Sequence, residues 1–162
     1  MAAMTIARAT ITDDDGSGTT GTIWNAAKLT QLYDAIDDLI VTVHSDSYTP
    51  TVSNTVNVAA STPAVTGYTR VGNRVTVSGT INIDPTTASP TETSFELSLP
   101  VASNLGAISD LGGTVVGVTE TANILVAGAI RGNVANNTAD VIFYPASTAN
   151  QTLAFTFGYR VI

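Results

Sequence analysis

The stretch Tyr68-Thr69-Arg70-Val71-Gly72-Asn73-Arg74-Val75-Thr76-Val77-Ser78-Gly79 holds two alternating, β-branched runs separated by Gly-Asn. Two turn-forming residues between runs of period two are a hairpin signal, because both tolerate the backbone conformation that a tight turn needs. The same period continues on either side. From Tyr48 onward the chain offers candidate strands at 48–58, 64–71, 74–83, 94–99, 113–119, 122–131, 139–144 and 152–161. Pro85 and Pro90 stop any strand within 84–90, and Pro100 closes the strand before it. At the C-terminus Leu153, Phe155, Phe157, Tyr159 and Val161 fall on one face, which marks a core strand. Short strands broken by Gly, Asn and Pro turns predict a mainly β fold, an antiparallel β-sandwich of jelly-roll-like form. Gly79, Gly113, Gly117 and Gly128 lie inside strands, where glycine permits close backbone approach. No fixed-period repeat is visible, which argues against solenoids and propellers.

Upstream of this region the period changes. Leu29, Leu32, Ile36, Leu39 and Val43 are spaced three, four, three and four apart, an a/d heptad seam on an amphipathic helix spanning 22–45. Thr22 or Asn25 would cap its start, and Trp24 would anchor it by packing. Two heptads are marginal alone, so the seam needs an apolar partner. That partner is either the following sheet or the same helix in sister subunits. The narrowness of the seam favours the second. Residues 1–21 read as an extended acidic arm in which Ile6, Arg8 and Ile11 precede Asp13, Asp14 and Asp15. The expected layout is therefore arm 1–21, helix 22–45 and β domain 46–162.

Only 12% of the residues are charged, about half the usual share, so Thr, Ser and Asn must supply the polar surface. The formal net charge is −7 and uneven: residues 1–47 carry seven Asp against Arg8 and Lys28. Such an arm suits an electropositive protein surface and is a poor partner for nucleic acid. With 0 Cys, disulfides and thiolate metal sites are excluded. No apolar run approaches membrane length, and no membrane partner is expected.

The chemistry-bearing residues are sparse. The single His, His44, falls where the helix is expected to end, a place for capping the negative dipole end rather than for a catalytic triad. Paired carboxylates could run glycoside hydrolysis, but Glu92, Glu96 and Glu120 sit on or beside strands with charge facing out, the ordinary solvated position of a carboxylate. Asp13, Asp15, Ser17 and Gly18 fit the first half of an EF-hand loop, but Trp24 stands where the bidentate Glu is required. No catalytic residue, metal site or cofactor is therefore expected. Tyr48, Tyr68 and Tyr144 are the candidate platforms for a saccharide.

The run Asp13–Thr22 leading into Asn25-Ala26-Ala27 and Tyr33-Asp34-Ala35-Ile36-Asp37 resembles the N-terminal segment of small structural proteins of tailed bacteriophages. The Tyr68–Gly79 stretch, Phe95-Glu96-Leu97-Ser98-Leu99-Pro100 and Phe155-Thr156-Phe157-Gly158-Tyr159 resemble segments of phage fibre and appendage domains. The resemblance implies a homotrimeric virion component on the particle surface, a capsid decoration, cement or short head-fibre protein. In that role Ile6, Arg8, Ile11 and Asp13–Asp15 would contact the major capsid protein or another virion protein, and the helix seam would form the trimer interface. The rival expectation is a tail-fibre or adhesin tip that binds host surface carbohydrate.

Overall fold

The computed structural model describes residues 30–34, 43–119 and 125–162. The chain divides after Thr42 into two compact units. In the first, residues 30–34 are helical, and Leu32 is exposed. Leu29, Ile36 and Leu39 of the expected seam lie outside the described residues, as do Ile6, Arg8, Ile11, Asp13, Asp14, Asp15 and Trp24. Val43, read as the last seam residue, is instead the first residue of a strand, paired with Val71.

The second unit is built from ten antiparallel strands: β1 (Val43–Tyr48), β2 (Val52–Val56), β3 (Val58–Pro63), β4 (Thr66–Val71), β5 (Arg74–Pro85), β6 (Thr93–Leu97), β7 (Leu111–Thr119), β8 (Leu125–Asn133), β9 (Thr138–Phe143) and β10 (Gln151–Arg160). A 3-10 turn at Ile108–Asp110 precedes β7. The Gly72-Asn73 hairpin forms as the sequence predicts, with Val71 opposite Arg74 and Gly72 at φ +59°. The expected strand at 48–58 is three separate strands, because β1 begins earlier and the chain turns twice.

The fold is mainly β, and its strands form one hydrogen-bonded path rather than two distinct sheets. The order is β1-β4-β5-β10-β7-β8-β9-β6-β2, with β3 also paired to β5. Strand β5 is long enough to hold both β4 and β3 along one edge: Val71 to Gly67 pair with its first half, Pro63 to Val58 with its second. Strand β2 pairs with β6 at the far end of the path, yet only Asn57 separates it from β3. The sheet is therefore curled, and one stretch of chain ties its two edges together.

Alternation sets what faces inward. On β10 the buried residues Leu153, Phe155, Phe157 and Tyr159 alternate with exposed Thr152, Ala154, Thr156 and Arg160. They share one core with Val75, Val77, Ile81 and Ile83 of β5, Phe95 and Leu97 of β6, and Val141 and Phe143 of β9. Three of the four phenylalanines are registered opposite a glycine: Phe155 faces Gly79, Phe157 faces Gly113 and Phe143 faces Gly128. A methyl group on Gly113 would strike the Thr156 carbonyl oxygen and the Phe157 backbone; one on Gly128 would strike the Ile142 carbonyl oxygen. Glycine lets neighbouring backbones come this close at 113 and 128, where Phe157 and Phe143 pack directly against it, while the space above Gly79 is taken by the Thr66 side chain.

Asn57 makes the closing corner. Its φ is +60°, a left-handed conformation that Asn tolerates better than most residues. The side-chain amide donates to the Thr87 carbonyl oxygen at 2.8 Å and to Thr93 Oγ1 at 2.7 Å. Its Oδ1 accepts from the Thr87 N–H at 2.8 Å and from Thr86 Oγ1 at 2.5 Å. Every hydrogen-bonding position of the amide is thus spent on joining the exit of β5 to the start of β6. Replacing Asn57 by Ala loses these bonds and adds backbone strain, and it should cost at least about 2 kcal/mol. Thermal unfolding should then fall by roughly 4–8 °C, with Asn57→Gly losing less because only the bonds go.

Candidate functional site

Polar and aromatic side chains gather in three places on the β unit. The first is an aromatic cluster under β1 and β4. Tyr48 and Tyr68 meet edge to face, with ring centroids 6.0 Å apart, and His44 lies 5.9 Å from Tyr68. Both tyrosines are half-buried and packed on the core. The Tyr48 hydroxyl donates to the Ser98 carbonyl oxygen at 3.1 Å, which ties β1 to the segment after β6. The Tyr159 hydroxyl donates to the Val101 carbonyl oxygen at 2.8 Å and accepts from the Val101 N–H at 3.1 Å. Burial pushes the Tyr159 phenol up to about 12, opposed by the hydrogen bond to Val101. Burial also raises Tyr48, and the nearby Tyr159 adds to the rise.

His44 does not cap a helix. It is an exposed residue of β1 with Nε2 3.7 Å from Asp46 Oδ2. Tyr144, the third candidate platform, is 53% exposed and stands apart from the Tyr48–Tyr68 pair, at the exit of β9. Its hydroxyl lies 3.4 Å from Glu92 Oε2. Of the three tyrosines, Tyr144 is the most exposed, while Tyr68 lines a groove with Asp46, Thr69 and Thr76.

The second place is Glu96, a residue only 5% exposed rather than solvated as the sequence suggests. Asn133 Nδ2 and Thr138 Oγ1 each donate to it at 2.7 Å, and Asn136 Nδ2 donates to both oxygens at 3.1 Å. Asn133 Oδ1 meanwhile accepts from the N–H groups of Ala135 and Asn136, so the turn between β8 and β9 is folded around the carboxylate. Beside it Arg131 Nε donates to Asp140 Oδ2 at 2.9 Å across the β8–β9 pair. Glu96 is thus committed to holding a turn. Glu120 lies outside the described residues.

The third place is a polar groove of about 450 Å³ on the outer face of β5, β10 and β7. Arg74 and Arg160 are direct cross-strand partners there, and Gly158 and Gly112 are partners in the next pair of strands. Because glycines leave the sheet bare at that point, the two arginines border a depression, with Ser109 and Asp110 among its other lining residues. Asp110 Oδ2 accepts from the N–H groups of Gly106 and Ala107 at 2.8 Å each. Sequence reasoning counts these arginines only as charge. Their outward parity is readable from the alternation of β5 and β10, but their register is not.

Among the described residues no helix is long and apolar enough to cross a membrane, and no group of three or more His, Asp or Glu is arranged to hold a metal ion. No family model matches the chain, and no curated protein matches it. Among solved structures, the chain is similar to the carboxy-terminal domain of the turkey type 3 siadenovirus fibre, avirulent form, complexed with 3-sialyllactose. The two are 14% identical, the match covers 70% of this chain and 99% of the other, and the TM-score is 0.35.

The raised phenols fix a pH dependence. A group whose folded pKa lies above its unfolded value contributes stability that is complete below the unfolded value and is lost as pH rises toward the folded one. For Tyr159 that window runs from the ordinary value of 10.0 to about 12. Stability should hold level up to pH 10 and fall beyond it, with part of the tyrosinate absorbance near 295 nm appearing only on unfolding. In Tyr159→Phe the fall should be shallower.

Proposed function

We propose that this chain is a structural virion protein of a tailed phage: a homotrimeric capsid decoration, cement or short head-fibre protein. Its N-terminal arm attaches to the major capsid protein or a neighbouring virion protein, the helix seam joins three copies, and the β unit is displayed on the particle surface. The two halves of the curled sheet face each other across the core and serve as the layers of a sandwich-type head. The reading is carried by the division of the chain after Thr42, which leaves residues 43–162 with a complete core of their own. A self-contained head preceded by a separate segment suits an appendage that must be held at one end. The low charge supports the same role, since the exposed strand positions are filled by Thr76, Ser78, Thr80, Thr152 and Thr156 rather than by Lys or Glu.

In sedimentation equilibrium the full chain should give three times its 16.6 kDa mass. Replacing Leu32 and Ile36 by Asp should dissociate it while leaving the β signal in circular dichroism intact. A monomeric wild-type chain, or purified particles lacking it, would overturn the assignment.

A second reading is favoured by one observation, the open ring of Tyr144 beside Glu92. An exposed aromatic next to a carboxylate can stack on a sugar face while the carboxylate accepts from its hydroxyls. On this reading the chain is a tail-fibre or adhesin tip. A glycan array should then show binding that Tyr144→Ala abolishes.

A further inference from the structure

We infer that the groove between Arg74, Arg160 and Asp110 is a binding site for a carboxylate-bearing sugar. The inference rests on the placement of these side chains and does not depend on the virion role or on Tyr144.

Arg74 and Arg160 stand directly opposite each other on neighbouring strands, both exposed on the same face. Like charges in that position repel and weaken the sheet. Such a pair is usually relieved by a carboxylate of the protein. Among the described residues neither guanidinium has an ion-pair or hydrogen-bond partner, although the chain carries a net charge of −7. Arg70 and Arg131, by contrast, are spent on the Gly72 carbonyl oxygen and on Asp140. Two free planar forks side by side are suited to a bidentate carboxylate.

The rest of the groove selects a sugar over a bare anion. Gly158 and Gly112, paired in register, clear the floor, and the space above Gly112 is empty to 4 Å. The volume of about 450 Å³ is that of a small-ligand site and fits one or two hexose rings. Thr76, Ser109 and Asp110 add hydroxyls and a carboxylate to the lining of the same groove. Asp110 uses Oδ2 on the Gly106 and Ala107 N–H groups, while Oδ1 has no hydrogen bond among the described residues. A bare anion such as sulfate brings no hydrogen-bond donor for the Asp110 carboxylate. A sugar with an acid group offers a carboxylate to the arginines and hydroxyls to Asp110 and the neighbouring polar groups.

The test titrates the full chain with D-glucuronate, with D-glucose as the uncharged twin and with sulfate at matched ionic strength, followed by amide chemical shifts. Glucuronate should shift the amides of Arg74, Gly112, Gly158 and Arg160, and neither glucose nor sulfate should do so. Arg74→Gln and Arg160→Gln should each weaken glucuronate at least about tenfold, the scale of losing one charged hydrogen-bonded contact. Arg131→Gln, outside the groove, should leave it unchanged. Thermal melts of the variants separate loss of the site from loss of the fold. No shift with glucuronate, or the same shifts with sulfate, overturns the assignment. The mass and the particle association of the chain are unaffected by either result.

Discussion

The four side-chain hydrogen bonds of Asn57 hold the β unit closed. A curled sheet of ten strands has two edges, and unless they are joined its inner face opens to water. One joint is the single residue Asn57 between β2, which pairs with one end of the path, and β3, which pairs with β5 in its other half; the Tyr48 hydroxyl on the Ser98 carbonyl oxygen is another. The Asn57 amide binds Thr86, Thr87 and Thr93, so the end of β5 and the start of β6 are drawn to the same point. Phe95, Leu97 and Val141 share one buried core with Ile81 and Ile83.

Curling has its own requirement, which the glycine–phenylalanine pairs meet. An inward Cβ at position 113 or 128 would collide with the neighbouring backbone, so the strands could not approach as they do. Phe157 and Phe143 cover the vacated space and keep the core dense despite few aromatic residues. On the outer face the same kind of pair has the opposite effect. Gly158 and Gly112 are not covered by a ring, and the bare sheet becomes the floor of the groove beside Arg74 and Arg160.

The polar groups divide by what surrounds them. Tyr48, Tyr159 and Glu96 are committed to the fold: two neutral phenols held by backbone groups and a carboxylate wrapped by amide and hydroxyl donors. Tyr144, Arg74 and Arg160 are exposed, and none of them is enclosed by the fold in this way. Residue type alone does not separate these groups, since tyrosine occurs in both.

Much of the fold was legible in the residues. Alternation in 74–83 and 152–161 marked the inward faces of β5 and β10, and Gly72-Asn73 marked their hairpin neighbour, because side-chain period and turn chemistry are local properties. The strand glycines announced close approach of backbones. Other features depend on partners distant in sequence. The break at Asn57 lay hidden inside an apparently continuous strand, Val43 was read with the helix, and Glu96 looked like any solvated carboxylate. Each is settled by groups 28 to 42 positions away: Thr86 and Thr87 for Asn57, Val71 for Val43, Asn133 and Thr138 for Glu96. The sequence by itself determined which residues point inward. Only the tertiary structure decided which of them meet, because register and curl are properties of paired strands and not of any one strand.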